Sequence, residues 1–330
     1  MTVALDAMGG DGGVPVTVAG AVAAARELDL SVILIGAEDQ IARKLSRLDT
    51  RRLDIRIRHA LEMVEMRESP AVALRKKKDS SIRIGVDLVK EGEADAFVSA
   101  GNTGAVMATA LVILGPLAGV ERPAIAAQLP TLGGYAILLD AGANVDSKPR
   151  HLVQFAIMGT VYARKVLGKP DPRVGLLSIG EEETKGNELT REAFRALEDE
   201  PGVDFIGNVE GADVFNGKAD VVVCDGFTGN VALKIGESAA EMMLTLFREE
   251  LKRGMLGKAG LLLLRPRLER FHRRIDYTEY GGAPLLGVSG VVIIGHGRST
   301  AKAIKNGIRV AAECVKNRVI ESIRVGVAHS

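Results

Sequence analysis

Residues 135–167 read YAILLDAGANVDSKPRHLVQFAIMGTVYARKVL, and this stretch decides the class of fold. An apolar run over 135–139 stops at Asp140-Ala141-Gly142-Ala143-Asn144, a cluster of turn residues, and a helical stretch follows over about 151–167. Strand, small polar turn and helix in that order make a βα unit. Repetition of the unit predicts a mostly parallel sheet covered by helices. The repetition is there. A strand at 3–5 runs into Asp6-Ala7-Met8-Gly9-Gly10-Asp11 and an alanine-rich helix over 16–28; a strand at 31–35 runs into Gly36 and a helix over 39–48. Residues 55–57 alternate as an edge strand, and an amphipathic helix over 82–90 precedes a strand at 96–98. Strands at 174–179, 220–223 and 291–294 open onto glycine-rich turns, with helices near 189–197 and over 299–320.

Bulk properties narrow the function. The 330 residues, 47% of them apolar, suffice for two closely packed α/β lobes in a single unit. The first lobe is expected over about 1–100 plus 290–330, and the second over about 101–289. Lys plus Arg number 43 against 42 Asp plus Glu, so no global charge field draws the chain to nucleic acid. Aromatics at 4% with no Trp leave little for base stacking. Cys224 and Cys314 lie in apolar settings without ligand spacing, and read as buried, reduced thiols of a cytosolic protein. Asp6 and Asp11 interrupt the first apolar run, which therefore does not read as a signal peptide. The uncharged stretch 105–120 contains Gly115-Pro116 and is too short to span a bilayer; it reads as a buried helix.

Five strand ends share one chemistry: DAMGGD (6–11), SAGNTGA (99–105), DAGANVD (140–146), SIGEEETKGNE (178–188) and CDGFTGN (224–230). Glycines admit close backbone approach, helix N-termini attract anions, and Asn adds neutral donors. Ligands of α/β sheets bind at the carboxyl ends of strands, so five such loops converging on one sheet edge predict an oxyanion or phosphate site. No GxxxxGK[ST] occurs, and Gly9-Gly10-Asp11-Gly12-Gly13 does not keep GxGxxG spacing.

Taken together, these segments resemble the phosphate acyltransferases of bacterial phospholipid synthesis. LDAMGGD (5–11), KKDSS (77–81), VSAGNTGA (98–105) and LLDAGANVDSKPRHLVQFAIMG (138–159) carry the resemblance. So do SIGEEETKGNELT (178–190), NVEGADVFNGKADVVVCDGFTGNVALK (208–234) and YGGAPLLGVSG (280–290). Pro15 falls slightly later than the family pattern. The resemblance implies a homodimer with a three-layer α/β/α fold like that of isocitrate and isopropylmalate dehydrogenases. It also implies transfer of a long acyl chain from acyl carrier protein to orthophosphate, with no metal or organic cofactor. The acyl phosphate would pass to a membrane glycerol-3-phosphate acyltransferase.

Direct attack of phosphate on a thioester needs mainly positioning and oxyanion stabilisation. Lys185 is the cation of a glycine-rich loop after a strand, placed to hold phosphate or neutralise the oxyanion; Asn230 ends CDGFTGN as an amide donor. By resemblance these two match the family's proposed catalytic pair. Asn102, Thr103 and Gly104 are expected to line the phosphate site, and Asp6, Gly9, Gly10 and Asn144 to contribute to substrate binding. Asp6, Asp140 and Asp225 each follow a strand, and either orient Lys185 or cap a helix. His296, in Gly295-His296-Gly297-Arg298, stands between proton transfer and a structural role. Glu181-Glu182-Glu183 lacks the partners that fix a cation, so no metal site is expected.

Residues 252–274 carry Lys258, Arg265 and Arg267 among other cations, around Leu261, Leu262, Leu263 and Leu264. Positive charge beside leucines suits an anionic bilayer or an acidic carrier protein. A projecting helix-turn-helix that holds the protein peripherally on the inner face of the membrane is expected, with a dimer interface as the alternative. Three other readings compete: a coenzyme A-dependent phosphate acetyl- or butyryltransferase, a decarboxylating dehydrogenase, and a membrane-associated scaffold for lipid enzymes.

Overall fold

The computed structural model describes residues 1–251, 267–268, 271 and 279–328. Among these, eleven strands form one sheet. They are β1 (Thr2–Asp6), β2 (Ser31–Gly36), β3 (Ile55–His59), β4 (Ala96–Ser99), β5 (Ala124–Thr131) and β6 (Gly134–Leu139), then β7 (Arg173–Leu177), β8 (Asp204–Val209), β9 (Val221–Val223), β10 (Ala283–Leu286) and β11 (Val291–Ile294). The helices are α1 (Gly13–Leu28), α2 (Glu38–Leu45), α3 (Pro70–Lys76), α4 (Ser81–Lys90), α5 (Thr103–Ile113) and α6 (Pro149–Lys165), then α7 (Glu188–Glu198), α8 (Asp213–Asn216), α9 (Gly226–Leu251), α10 (Ala301–Lys316) and α11 (Val319–Val327).

Side chains alternate across each strand with a period of two, so one strand feeds two cores. Val3 and Leu5 of β1 and Val98 of β4 join the core under α1, α6, α7, α10 and α11. Ala4 and Phe97, from the same strands, join the core under α3, α4 and α5. Val222 and Leu138 meet Val214 of α8, and α9 packs on the same face through Leu233. The result is the expected α/β/α arrangement with a mostly parallel sheet. Pro15 sits in the first turn of α1, where no helical hydrogen bond is lost.

The strand order is β3-β2-β1-β4-β11-β10-β5-β6-β9-β7-β8. β1, β2, β3, β4 and β11 run parallel to one another, as do β6, β7, β8 and β9. Between the two sets, β10 is antiparallel to both its neighbours and β5 is antiparallel to β6. Three reversals leave the two sets pointing in opposite directions. The five glycine-rich loops therefore do not converge on one edge, as the sequence suggested. Those after β1 and β4 lie at one edge of the sheet, and those after β6, β7 and β9 at the other. The deciding strand, β5, is AIAAQLPT, an alanine-rich run that carries no β-branched signature beyond Ile125 and Thr131.

Two helices also differ from expectation. The helix expected over 105–120 stops at Ile113, because Gly115 turns left-handed (φ +78°) and Pro116 follows. The helix expected over 299–320 breaks at Arg318, also left-handed (φ +51°), into α10 and α11.

Candidate active site

A cleft of about 800 Å³ lies over the sheet where the direction reverses. Its floor is apolar: Ile125 and Ala127 of β5, Ala283 of β10 and Ile294 of β11. One wall comes from the first strand set, with Thr103 and Gly104 at the start of α5, and His296 and Arg298 after β11. The other comes from the second set, with Ala141–Ala143 after β6, and Asn230, Leu233 and Lys234 on α9. The reversal that separates the loops thus lets loops from both sets look into one space.

The first wall is held by interlocked turns. Gly9 lies so close to the next loop that a Cβ there would come within 2.7 Å of Gly101 N and 2.6 Å of Asp6 Oδ2. Asp6 is buried and accepts from Ser99 Oγ at 2.7 Å and Met8 N at 3.1 Å. Burial pushes its carboxyl upward, and these donors offset part of the cost. Gly10 has φ +82° and faces Gly297, whose carbonyl accepts from Asp11 N at 2.8 Å. Asn102 caps α5, accepting from Ala105 N at 3.0 Å. Its amide also donates to Glu65 O, Met66 O and Glu68 O at 2.8–3.2 Å, which fixes Met66 at the cleft. Asp6, Gly9, Gly10 and Asn102 stand behind the lining, while Thr103, Gly104 and His296 are in it. His296 Nδ1 accepts from Arg298 N at 3.1 Å, and its carbonyl accepts from Ser299 Oγ at 2.6 Å.

The second wall turns on Asp140. Its carboxylate accepts from the backbone N–H of Ile125, Gly142, Ala143 and Asn144 and from the Asn144 amide, at 2.7–3.1 Å. Burial raises its pKa, and the converging donors pull against that rise. Asn144 spends its amide there and on Pro123 O at 2.7 Å, behind the lining. Asp225 caps α9, accepting from Thr228 N at 2.9 Å and Thr228 Oγ1 at 2.7 Å. Gly229 lies against the Asp140 carbonyl, which any side chain at 229 would strike. That close approach seats the first turn of α9 and aims Asn230 into the cleft. Cys224 and Cys314 are buried, and burial drives both thiols up, Cys314 to about 12.

Lys185 lies on the sheet edge that also carries Asn230, in the loop after β7, but outside the cleft lining. It is exposed; its backbone N donates to Glu182 O at 3.0 Å and its stem lies over Gly180. Glu181 pairs with Lys218, and Glu183 with Arg195 at 3.8 Å. No group of three His, Cys, Asp or Glu side chains able to hold a metal occurs among the described residues. Arg267 is exposed; Lys258, Leu261, Leu262, Leu263 and Arg265 lie outside the described residues. No described helix is long and apolar enough to cross a membrane.

The family described as "Fatty acid synthesis protein" matches residues 1–322. A phosphate acyltransferase from Pelotomaculum thermopropionicum is 54% identical over 327 residues, covering 99% of this chain and 95% of that protein. The one from Geobacter sulfurreducens is 53% identical over 319 residues, covering 97% of this chain and 92% of that protein. The chain belongs to the phosphate acyltransferase family. Among solved structures, a phosphotransacetylase from Streptococcus pyogenes superposes with a TM-score of 0.63 at 20% identity, over 97% of this chain and 94% of that one. A 4-hydroxythreonine-4-phosphate dehydrogenase from Klebsiella pneumoniae gives 0.53 at 16%, over 96% and 99%. At such identities the likeness is one of fold.

As an acyltransferase acting with phosphate, the chain needs positive charge near its reacting groups. The cleft supplies two cations that the loop motifs did not single out, Lys234 and Arg298. Lys234 follows Asn230 by four residues on α9, the spacing that puts two side chains on one helix face. That spacing was available in NVALK (230–234), and Arg298 stood beside His296 in GHGR.

Proposed function

We propose that the chain transfers a long fatty acyl group from acyl carrier protein to orthophosphate. The products are the free carrier thiol and an acyl phosphate that a membrane glycerol-3-phosphate acyltransferase consumes. The observation that carries this reading is the division of the cleft into a polar rim and an apolar floor. Thr103, Gly104, Asn230, Lys234, His296 and Arg298 form the rim, and Ile125, Ala127 and Leu233 lie within.

Phosphate sits at the N-terminus of α5, whose first-turn N–H groups have no helical partners, with Lys234 and Arg298 as counter-charges. One phosphate oxygen attacks the thioester carbonyl carbon. As the C–O bond forms, the carbonyl electron pair moves to oxygen, and the Asn230 amide donates to that oxyanion. Collapse breaks the C–S bond; the thiolate leaves and takes the proton that phosphate gives up, carried by His296. Lys185, on the Asn230 edge, adds charge for the same oxyanion or phosphate, the role that the family resemblance assigns to it.

A phosphate acetyl- or butyryltransferase using coenzyme A would share this chemistry, and the phosphotransacetylase neighbours favour it on fold. A small acyl group would leave the apolar floor without a role. α9 also exposes Phe227 (61%), Ile235 (64%), Met242 and Leu246, a face that a second copy of the chain would cover. Segment 252–274 is assigned to the carrier protein or the membrane on its composition.

The test is thiol release from palmitoyl-carrier protein with and without orthophosphate. Release that requires phosphate and yields acid-labile acyl phosphate supports the reading. Release without phosphate makes the enzyme a thioesterase, and turnover of acyl-coenzyme A alone moves it to the small-acyl transferases.

A further inference from the structure

Lys185 lies in the loop between β7 and α7, and a buried side chain of the neighbouring strand holds the turn that carries it. Asn208 Nδ2 donates to Glu182 O at 2.9 Å, and Lys185 N donates to the same carbonyl at 3.0 Å. Asn208 is 3% exposed, near the end of β8. A break in register puts it there. β7 and β8 pair as Val174–Phe205 and then as Leu176–Asn208, so Ile206 and Gly207 together face Gly175 alone. Gly207 has φ +89°, which admits the bulge. Strict alternation would send Asn208 to the same face as Ile206, and Val209 to the other. Instead Val209 packs with Val214 and Val222 on the Ile206 face. Asn208 lies beside Leu176, on the face covered by α6 and α7, to which the loop leads.

Stability alone would not select this amide. Asn208 Oδ1 is buried and has no partner among the described residues, and an unpaired buried acceptor opposes folding. Leucine at 208 would fill a similar volume without the orphan, and Glu182 O would keep Lys185 N as its donor. What the amide adds is a fixed place for the turn from which the Lys185 side chain starts. The flanking carboxylates leave that side chain available. Glu181 is drawn off to Lys218 and Glu183 to Arg195, and no carboxylate among the described residues pairs with the Lys185 ammonium.

We infer, on the role proposed above for Lys185, that Asn208 is the positioning residue of that lysine. The bulge in β8 aims the amide, the amide fixes the Glu182 carbonyl, and the carbonyl fixes the backbone of Lys185. Asn208 touches neither substrate nor reacting atoms; it sets where the ammonium starts. Without the bond the turn is free to shift over the end of the sheet, and a charge displaced by about 1 Å costs up to roughly a hundredfold in rate.

The experiment measures palmitoyl transfer to orthophosphate by wild type, Asn208→Leu, Lys185→Ala and the double variant, together with their thermal unfolding. Asn208→Ala, which adds no bulk, is run beside Asn208→Leu in case leucine does not fit. The expected result is a kcat lowered roughly tenfold to a hundredfold in both Asn208 variants, with KM for phosphate unchanged. Asn208→Leu should unfold at or above the wild-type temperature, and the double variant should be no slower than Lys185→Ala, since a lysine that is absent cannot be misplaced. Wild-type kcat in both Asn208 variants, losses that multiply in the double variant, or a loss of rate that follows a loss of stability overturns the positioning role. Lys185→Ala at the wild-type rate removes the lysine from the reaction, and the positioning role with it. A wild type that transfers no palmitoyl group overturns the reaction itself, which separates that failure from the others.

Discussion

Asp140 and Asn144 are bonded twice: Asp140 Oδ2 accepts from Asn144 N at 2.7 Å and from Asn144 Nδ2 at 2.9 Å. Three further backbone donors reach the same carboxylate from Ile125, Gly142 and Ala143. The group is wholly buried, and what it satisfies is the turn that faces the first turn of α9.

Asp140→Asn is therefore not conservative. The new amide nitrogen would meet donors where the oxygen accepted, leaving buried N–H groups unpaired at about 1–3 kcal/mol each. We expect a loss of about 2–4 kcal/mol in urea unfolding, beyond the usual cost of a point substitution. A change within about 0.5 kcal/mol would mean the donors turn to water instead.

Gly229→Ala tests whether α9 is seated by close approach. The added methyl strikes the Asp140 carbonyl, so the first turn must lift and carry Asn230 with it. A displacement near 1 Å costs about a hundredfold in rate. Asn230→Ala should lower kcat by a similar factor with KM for phosphate unchanged, as loss of an oxyanion donor does. If Gly229→Ala is active while Asn230→Ala is not, the contact does not position the amide.

Much of this was legible in the sequence, but unevenly. The βα units were readable because 3–5, 31–35 and 291–294 carry dense apolar runs that lead into glycine-bearing turns. The reversal was not, since it depends on β5, whose AIAAQLPT gives almost no strand signal. The glycine-rich loops were read as ligand cradles. In the fold, Gly9 and Gly229 serve loop-to-loop and loop-to-helix contact instead, and composition cannot tell a neighbouring backbone from a substrate. Asn102 shows the same ambiguity: a capping residue whose amide ties down residues 65–68 looks, in sequence, like a site residue.

Lys234 and Lys185 can be separated kinetically. Lys234 lines the cleft one helical turn from Asn230, so Lys234→Gln should raise KM for phosphate about tenfold, the loss of a single charge-assisted contact. Lys234→Arg should restore most of it. Lys185→Ala, removing charge used in the transition state, should lower kcat with little change in KM. A Lys185→Ala variant that shifts only KM for phosphate would place phosphate at the β7 loop and away from α5.

Acid stability should report on Asp220, which ties β9 to β7. Its carboxylate accepts from Arg173 N at 3.0 Å and Arg173 Nε at 3.2 Å, and pairs with Lys169. Burial alone would push its pKa up; the hydrogen bonds and charges of Lys169 and Arg173 outweigh that and hold it below the ordinary carboxylate value. A depressed pKa means the unfolded chain takes up a proton more readily than the folded one. The stabilisation is thus fully present above the unfolded value and drains away as pH falls through the folded one. Urea midpoints from neutral pH down to about pH 3 should fall in wild type and fall less steeply in Asp220→Asn, which has no proton to gain. The variant should be the less stable protein at neutral pH, with the two curves approaching each other in acid. Parallel curves would assign the acid sensitivity to other carboxylates.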